Sequence, residues 1–111
     1  MSKQPASPSR RFASRIAPRE GVWVDWRCAG REDISRVRNM SLGGLFVETP
    51  TSRSLGSTVK LEFLVQEGKV RADAVVRRVE PGSGLALKFT AVITEDRSRL
   101  AKLMNRLRQS S

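Results

Sequence analysis

Histidine and tyrosine are absent from this chain, and cysteine occurs once, at Cys28. A lone cysteine makes no internal disulfide and builds no Cys-based zinc site. Without histidine the chain lacks both the usual metal ligand and the side chain that exchanges protons near neutrality. Both absences argue against catalysis, so neither an enzymatic activity nor a metal or cofactor is expected. No 18 apolar residues stand together, and the N-terminus has no run of 7–15 apolar residues. That pattern predicts neither a membrane span nor a secretory signal, and the expectation is a cytoplasmic protein without membrane insertion. The sequon Asn39-Met40-Ser41 then has no glycosylating enzyme to meet.

Acidic residues are few beside the basic ones: 11 Asp and Glu against 21 Lys and Arg, a formal net charge of +10 and a pI near 11.4. Such an excess attracts anions. It does not choose among a nucleic acid, an acidic membrane surface and a small phosphorylated ligand, so individual residues must decide. A length of 111 residues allows one domain. At this size roughly 60–70% of the unfolded surface is buried, which favours a shallow, surface-built site over a deep cleft.

Along the chain, residues 1–9 read as a flexible tail broken by Pro5 and Pro8, and residues 10–20 as an arginine-rich loop without apolar periodicity. From Val22 onward, Val22, Val24 and Trp26 alternate with Trp23 and Asp25, which places Trp26 inward and Trp23 outward on a first strand. A second run centres on Val37 and a third covers Leu45 to Thr49, separated by Ser41-Leu42-Gly43-Gly44. Val59, Leu61, Phe63 and Val65 share one face of a fourth strand before a turn at Glu67-Gly68. In the fifth, from Lys69 to Val79, the alternation slips at Val75-Val76, as at a bulge. Pro81, Gly82 and Gly84 turn the chain into a sixth strand with Leu85, Leu87 and Phe89 inward and Lys88 outward. Short strands at this spacing predict an all-β barrel or sandwich over residues 21–92, a closed barrel being the best remedy for exposed strand edges.

The period then changes to that of a helix. Leu100, Leu103, Met104 and Leu107 form one stripe, Thr94 is the expected N-cap, and Glu95, Asp96, Arg106 and Arg108 complement the macrodipole. A helix over 94–108 is predicted, capping one barrel end or, as the other reading of its narrow stripe, binding a membrane or partner, with a disordered end at 109–111.

Two stretches carry candidate chemistry. In Arg10-Arg11-Phe12-Ala13-Ser14-Arg15, two guanidinium groups lie four residues apart at the entrance to the barrel. Paired guanidinium N–H donors match two phosphate oxygens, or the O6 and N7 acceptors of guanine. The same spacing recurs at Arg15/Arg19 and Arg27/Arg31, so a solvated basic tail also accounts for it. In Asn39-Met40-Ser41-Leu42-Gly43-Gly44, short polar side chains can bond nearby backbone, and Gly43 or Gly44 can take positive φ or admit a ligand close to the main chain. A plain turn explains this stretch equally.

Taken together, the two stretches resemble the PilZ domain family: Arg11 and Arg15 fit its R-x-x-x-R pair, and Asn39, Ser41 and Gly44 its [D/N]-x-S-x-x-G turn. Gly84-Leu85-Ala86-Leu87-Lys88-Phe89 looks like the family's late glycine-led strand, and the likeness spans residues 10–108. It implies a six-stranded antiparallel split β-barrel with a C-terminal α-helix, and a receptor for cyclic di-GMP. By that resemblance Arg11 and Arg15 bind phosphate and the Hoogsteen edge of guanine, Asn39 and Ser41 hold guanine and phosphate, and Gly44 keeps the surface clear. Arg10, Gly43 and Arg78 are secondary candidates, Arg78 as a planar group stacking on guanine.

The expected mechanism is ordering of an arm, mobile as far as Arg19, whose folding signals to an unidentified downstream protein from a monomer or weak dimer. A small basic barrel also describes single-stranded nucleic-acid modules, yet these display several aromatics, and only Trp23 is an exposed candidate here; no DNA or RNA partner is expected. A PilZ-type adaptor without ligand is the third reading. A phosphodiesterase or cyclase is disfavoured by the missing histidine and carboxylate cluster.

Overall fold

The computed structural model describes residues 15–110. Six antiparallel strands, β1 (Trp23–Cys28), β2 (Arg31–Ser41), β3 (Gly44–Glu48), β4 (Thr58–Leu64), β5 (Val70–Glu80) and β6 (Gly84–Val92), close into a barrel in the order β1-β2-β3-β6-β5-β4. The helix α1 (Thr94–Ser110) follows. β1 and β2 form a hairpin across Ala29 and Gly30, whose φ angles of 54° and 78° suit the right-handed twist of paired strands. This turn extends β2 well upstream of the apolar run around Val37.

Period-two alternation sorts the side chains as expected. Val24, Trp26 and Cys28 point inward from β1, as do Val59, Leu61 and Phe63 from β4. Trp26 is 0% exposed and donates its indole N–H to Ser35 Oγ at 2.8 Å, whereas Trp23 is 47% exposed. The register shifts of β5 fall on either side of Val75-Val76 and not between them. Val70, Ala72, Ala74 and Val76 keep their alternation and are all buried, and register is lost instead between Asp73 and Ala74 and between Val76 and Arg78. Two adjacent valines suggest a bulge in sequence, but the partner strand decides which one is covered, and Val75 remains on the outer face.

The stripe Leu100, Leu103, Met104 and Leu107 is buried and joins the barrel core, so α1 closes one end of the barrel. Its first intrahelical bond runs from Arg97 N to Ile93 O at 2.8 Å. Ile93 therefore holds the cap position expected for Thr94, and the helix continues two residues past Arg108. Two ionic contacts fix its orientation. Asp96, fully buried, accepts from Arg71 N (2.9 Å), Arg71 Nε (3.3 Å) and an Arg99 guanidinium nitrogen (3.0 Å). Arg106 pairs with Glu67 in the β4–β5 loop and with Glu20 ahead of β1 at 2.6 Å. Burial alone pushes the Asp96 carboxyl up, but the bonds from Arg71 and the charges of Arg71 and Arg99 outweigh it and hold it below the usual aspartate range.

The segment leading into β1 is attached to the barrel. Ile16 exchanges two backbone hydrogen bonds with Met40 (2.8 and 2.9 Å), and Pro18 is buried. Within the stretch expected to form a mobile arm, Arg15 bonds Asn39, Ile16 bonds Met40, and Glu20 pairs with Arg106 of the helix. The expected tail 1–9, together with Arg10 and Arg11, lies outside the described residues.

Candidate functional site

Two β-bulges build the site. Inward alternation along β2 through Ser35 and Val37 would bury position 39, but the register shifts between Val37 and Asn39, with Arg38 as the extra residue. The shift turns Asn39 outward and sends Met40 into the core, where it is 0% exposed. In β5 the same device at Arg77 puts Arg77 and Arg78 side by side on the outer face. Asn39 pairs with Phe46, Phe46 with Ala86, and Ala86 with Arg78, so these four residues make a straight row across β2, β3, β6 and β5. At about 4.8 Å between strands, the row spans roughly 14 Å.

Above this row lies a cavity of about 490 Å³, bordered by Arg15, Asn39, Ser41, Gly43 and Gly44, by Lys88 next to Gly44, and by Arg77 and Arg78 on β5. Arg15 Nε donates to Asn39 Oδ1 at 2.7 Å, fixing the arm to the second strand at this cavity. Ser41 is buried, and its Oγ accepts from Gly43 N at 3.1 Å, leaving its proton free to turn toward the cavity. Arg78 pairs with Glu80 (3.1 Å), and Glu80 also reaches Arg38 (3.7 Å), which lies 4.4 Å over the ring of Phe46 and bonds Glu48 (3.3 Å). Among the described residues Arg15, Arg77 and Lys88 have no ion-pair partner. Burial first, and the neighbouring charge of Arg78 second, lower the proton affinity of Arg15 below that of a free guanidinium. The second effect reflects cationic charge gathered with too few carboxylates, which favours an anion in the cavity.

Of the sequence readings of the glycine pair, the backbone overturns positive φ. Neither Gly43 nor Gly44 takes positive φ. A Cβ on Gly44 would stand 2.3 Å from Leu87 O, so this glycine is required by the close approach of β3 to β6. Gly84, at the far end of the same ladder, is bound by the same constraint, its Cβ falling 2.2 Å from Val47 O. Gly43 has room for a methyl group, the nearest atom being Ser41 Oγ at 3.8 Å.

Of the sequence candidates, Arg15, Asn39, Ser41, Gly43, Gly44 and Arg78 border one cavity, while Arg10 and Arg11 lie outside the described residues. Phe46, Arg77, Ala86 and Lys88 were not foreseen as site residues. Lys88 was legible as outward-facing, but the strand pairing that sets it beside Gly44 was not. Phe46 sits in an unbroken apolar run, Leu45-Phe46-Val47, where alternation gives no sign of which face it takes.

Comparison with known proteins gives a consistent result. The PilZ domain family matches residues 9–106. No curated protein matches the chain in sequence. Among solved structures, the PilZ domain of YcgR from Escherichia coli, determined with c-di-GMP, superposes with a TM-score of 0.71 at 20% identity, covering 91% of this chain and 93% of that one. The Bacillus subtilis inhibitor of motility MotI/DgrA gives 0.71 at 21% identity, over 87% of this chain and 50% of its own. K. pneumonia MrkH gives 0.74 at 18% identity, over 99% and 52%. The chain thus spans about half the length of MotI and MrkH. With the family matched over nearly its whole length and its barrel shared by these structures, the chain belongs to the PilZ domain family.

Proposed function

We propose that this protein is a receptor for cyclic di-GMP, which it binds across the row Asn39–Phe46–Ala86–Arg78. The observation that carries the reading is the Arg15–Asn39 bond beside that row, because it joins the arginine arm and the Asn-x-Ser turn in one cationic cavity. Two phosphodiester charges and two guanines call for planar donors and a flat surface rather than an acid or base. In this reading Arg15 and Arg11 contact phosphate and the Hoogsteen edge of guanine, Asn39 and Ser41 bond guanine and phosphate, and Arg78 stacks over the small Ala86. Arg77 on β5 and Lys88 beside Gly44 add cationic charge, and Arg10 extends the arm. Gly44 permits the strand contact beneath the ligand. The YcgR domain determined with c-di-GMP shares this fold, which supports the choice of ligand.

The signal passes to a protein partner through ordering of the arm upstream of Arg15. Titration calorimetry with cyclic di-GMP, cyclic di-AMP and a short single-stranded RNA, at two salt concentrations, tests the proposal. Selective binding of cyclic di-GMP that is lost in Arg15→Ala is the expected result. Equal or tighter binding of RNA with a steep salt dependence would overturn it.

A further inference from the structure

The outer face of β4, β1 and β2 carries an apolar patch away from the candidate site. It is centred on β1, which lies across the closed barrel from β6. Strand register sets Trp23 between Leu64 and Arg36, and in the next outward row Asp25 between Glu62 and Ile34. Trp23, Leu64 and Ile34 are 47%, 49% and 54% exposed. Trp23 and Leu64 are direct cross-strand neighbours and Ile34 is one row away, so the three side chains make one continuous patch.

Charge sets this face apart as well. A third row, Lys60, Arg27 and Glu32, completes nine outward positions that hold three cations and three carboxylates. The formal excess of +10 therefore lies wholly on the other residues of the chain. Among the described residues Arg36, Asp25 and Glu62 take part in no ion pair, whereas Arg27 pairs with Glu32 and Lys60 with Asp73. Asp25 and Glu62 face each other directly, an apposition of like charges that costs a single copy stability.

We propose that this face joins a second copy of the chain in a weak two-fold dimer. Charge supports the choice, because two strongly cationic chains approach with least repulsion where the local sum is zero. Geometry supports it too. Arg36 and Glu62 stand one strand to either side of β1 and two residues apart along it, so their midpoint falls on β1 between Trp23 and Asp25. A two-fold axis through that midpoint, lying in the interface, sets Arg36 of each copy over Glu62 of the other and brings the two Trp23 rings together. The charges left unpaired in one copy then find partners in the next. With strands about 4.8 Å apart and a rise of about 3.3 Å per residue, the face measures roughly 15 by 20 Å. That is small for a specific interface, and it makes the dimer weak. The candidate site stays open in both copies, so the dimer does not depend on the ligand reading.

Sedimentation velocity of the full chain without nucleotide, from about 10 μM to about 1 mM, tests the dimer. The proteins compared are the wild type, Trp23→Ser, Arg36→Glu, Glu62→Arg and the double reversal of Arg36→Glu with Glu62→Arg. In the wild type the mass is expected to rise with concentration from 12.4 kDa toward twice that value. The dissociation constant should increase about tenfold or more in Trp23→Ser and in each single reversal, and return to within about threefold of wild type in the double reversal. Trp23 and Arg36 are exposed, so their variants keep the fold and decide the question even if Glu62→Arg melts early. A wild type that stays monomeric at the highest concentration overturns the dimer. Association that survives Trp23→Ser and both single reversals overturns this face as its seat. Loss in both single reversals without recovery in the double variant overturns the crossed pairing of Arg36 with Glu62.

Discussion

Arg15 Nε lies 2.7 Å from Asn39 Oδ1, so a guanidinium of the N-terminal arm meets an amide on the second strand across 24 residues of sequence. The contact converts two separate motifs into one site. It also leaves the remaining Arg15 donors available to an anion, since Asn39 engages only Nε.

Removing either partner should weaken cyclic di-GMP binding, and Arg15 should matter more. Each charge-assisted bond is worth about 1.5–3 kcal/mol, so Arg15→Ala is expected to raise Kd about 10- to 100-fold. Asn39→Ala removes a neutral acceptor and should cost less. Because the two side chains touch, the double variant should lose less than the sum of the single losses. Calorimetric titration of the four proteins checks this, and strict additivity would show that the contact is irrelevant to binding.

Glu80 draws Arg78 and Arg38 toward itself at 3.1 and 3.7 Å. Substituting Glu80→Gln removes a carboxylate that competes with an anionic ligand for Arg78, and should tighten cyclic di-GMP binding about two- to fivefold with a steeper salt dependence. Stability should barely change, since these ion pairs are exposed. Weaker binding in Glu80→Gln would mean that the carboxylate positions Arg78 for the ligand.

The adjacent glycines should respond differently to alanine. Gly44→Ala places a methyl group against the Leu87 carbonyl and is expected to cost about 2 kcal/mol, a fall of roughly 8–16 °C in Tm. Gly43→Ala meets only ordinary contact and should stay within about 3 °C of wild type. Thermal melts followed by circular dichroism distinguish them.

Acid should loosen the attachment of helix to barrel. Asp96 is held below its ordinary pKa when folded, so it contributes stability above the unfolded value of about 3.9 and loses that contribution as pH falls through the folded value. Glu67 is shifted in the same direction, chiefly by its bond from Arg106. The protein should therefore melt at a nearly constant temperature from pH 8 down to about 5 as far as these groups are concerned, and destabilise below about pH 4. Asp96→Asn should melt several degrees lower at neutral pH, with the gap to wild type closing toward pH 3. A constant gap across that range would rule out the carboxylate's charge as the cause.

The buried Trp26–Ser35 bond offers a test of the core. Ser35→Ala leaves an indole N–H inside the barrel without its acceptor and should cost about 1–3 kcal/mol in urea unfolding. An unchanged midpoint would mean that the indole finds another acceptor.

Much of this architecture was legible from side-chain periodicity. Val24 and Trp26, Val59 and Leu61, and Leu85 and Leu87 alternate with polar neighbours, and a strand with that pattern has one way to face a core. The helix stripe was equally plain, because four apolar residues at helical spacing can be buried together only on one face. Arg15, Asn39 and Ser41 were legible as members of two motifs through the resemblance to the PilZ family. Their orientation was not, because inward alternation in β2 and β5 assigns Asn39 and Arg78 to the interior until a bulge reverses them.

By itself, the sequence determined a small, strongly basic, six-stranded barrel closed by a helix, along with the arginine and Asn-x-Ser chemistry it displays, because burial periodicity and side-chain type are local properties. Only the tertiary structure decided that Arg38 and Arg77 are the extra residues of two bulges, that Phe46, Ala86 and Lys88 complete the cavity, and that Gly44 serves a strand contact. Those outcomes depend on which residue faces which across neighbouring strands. Register is set by pairings between distant segments, and no single strand encodes its partner.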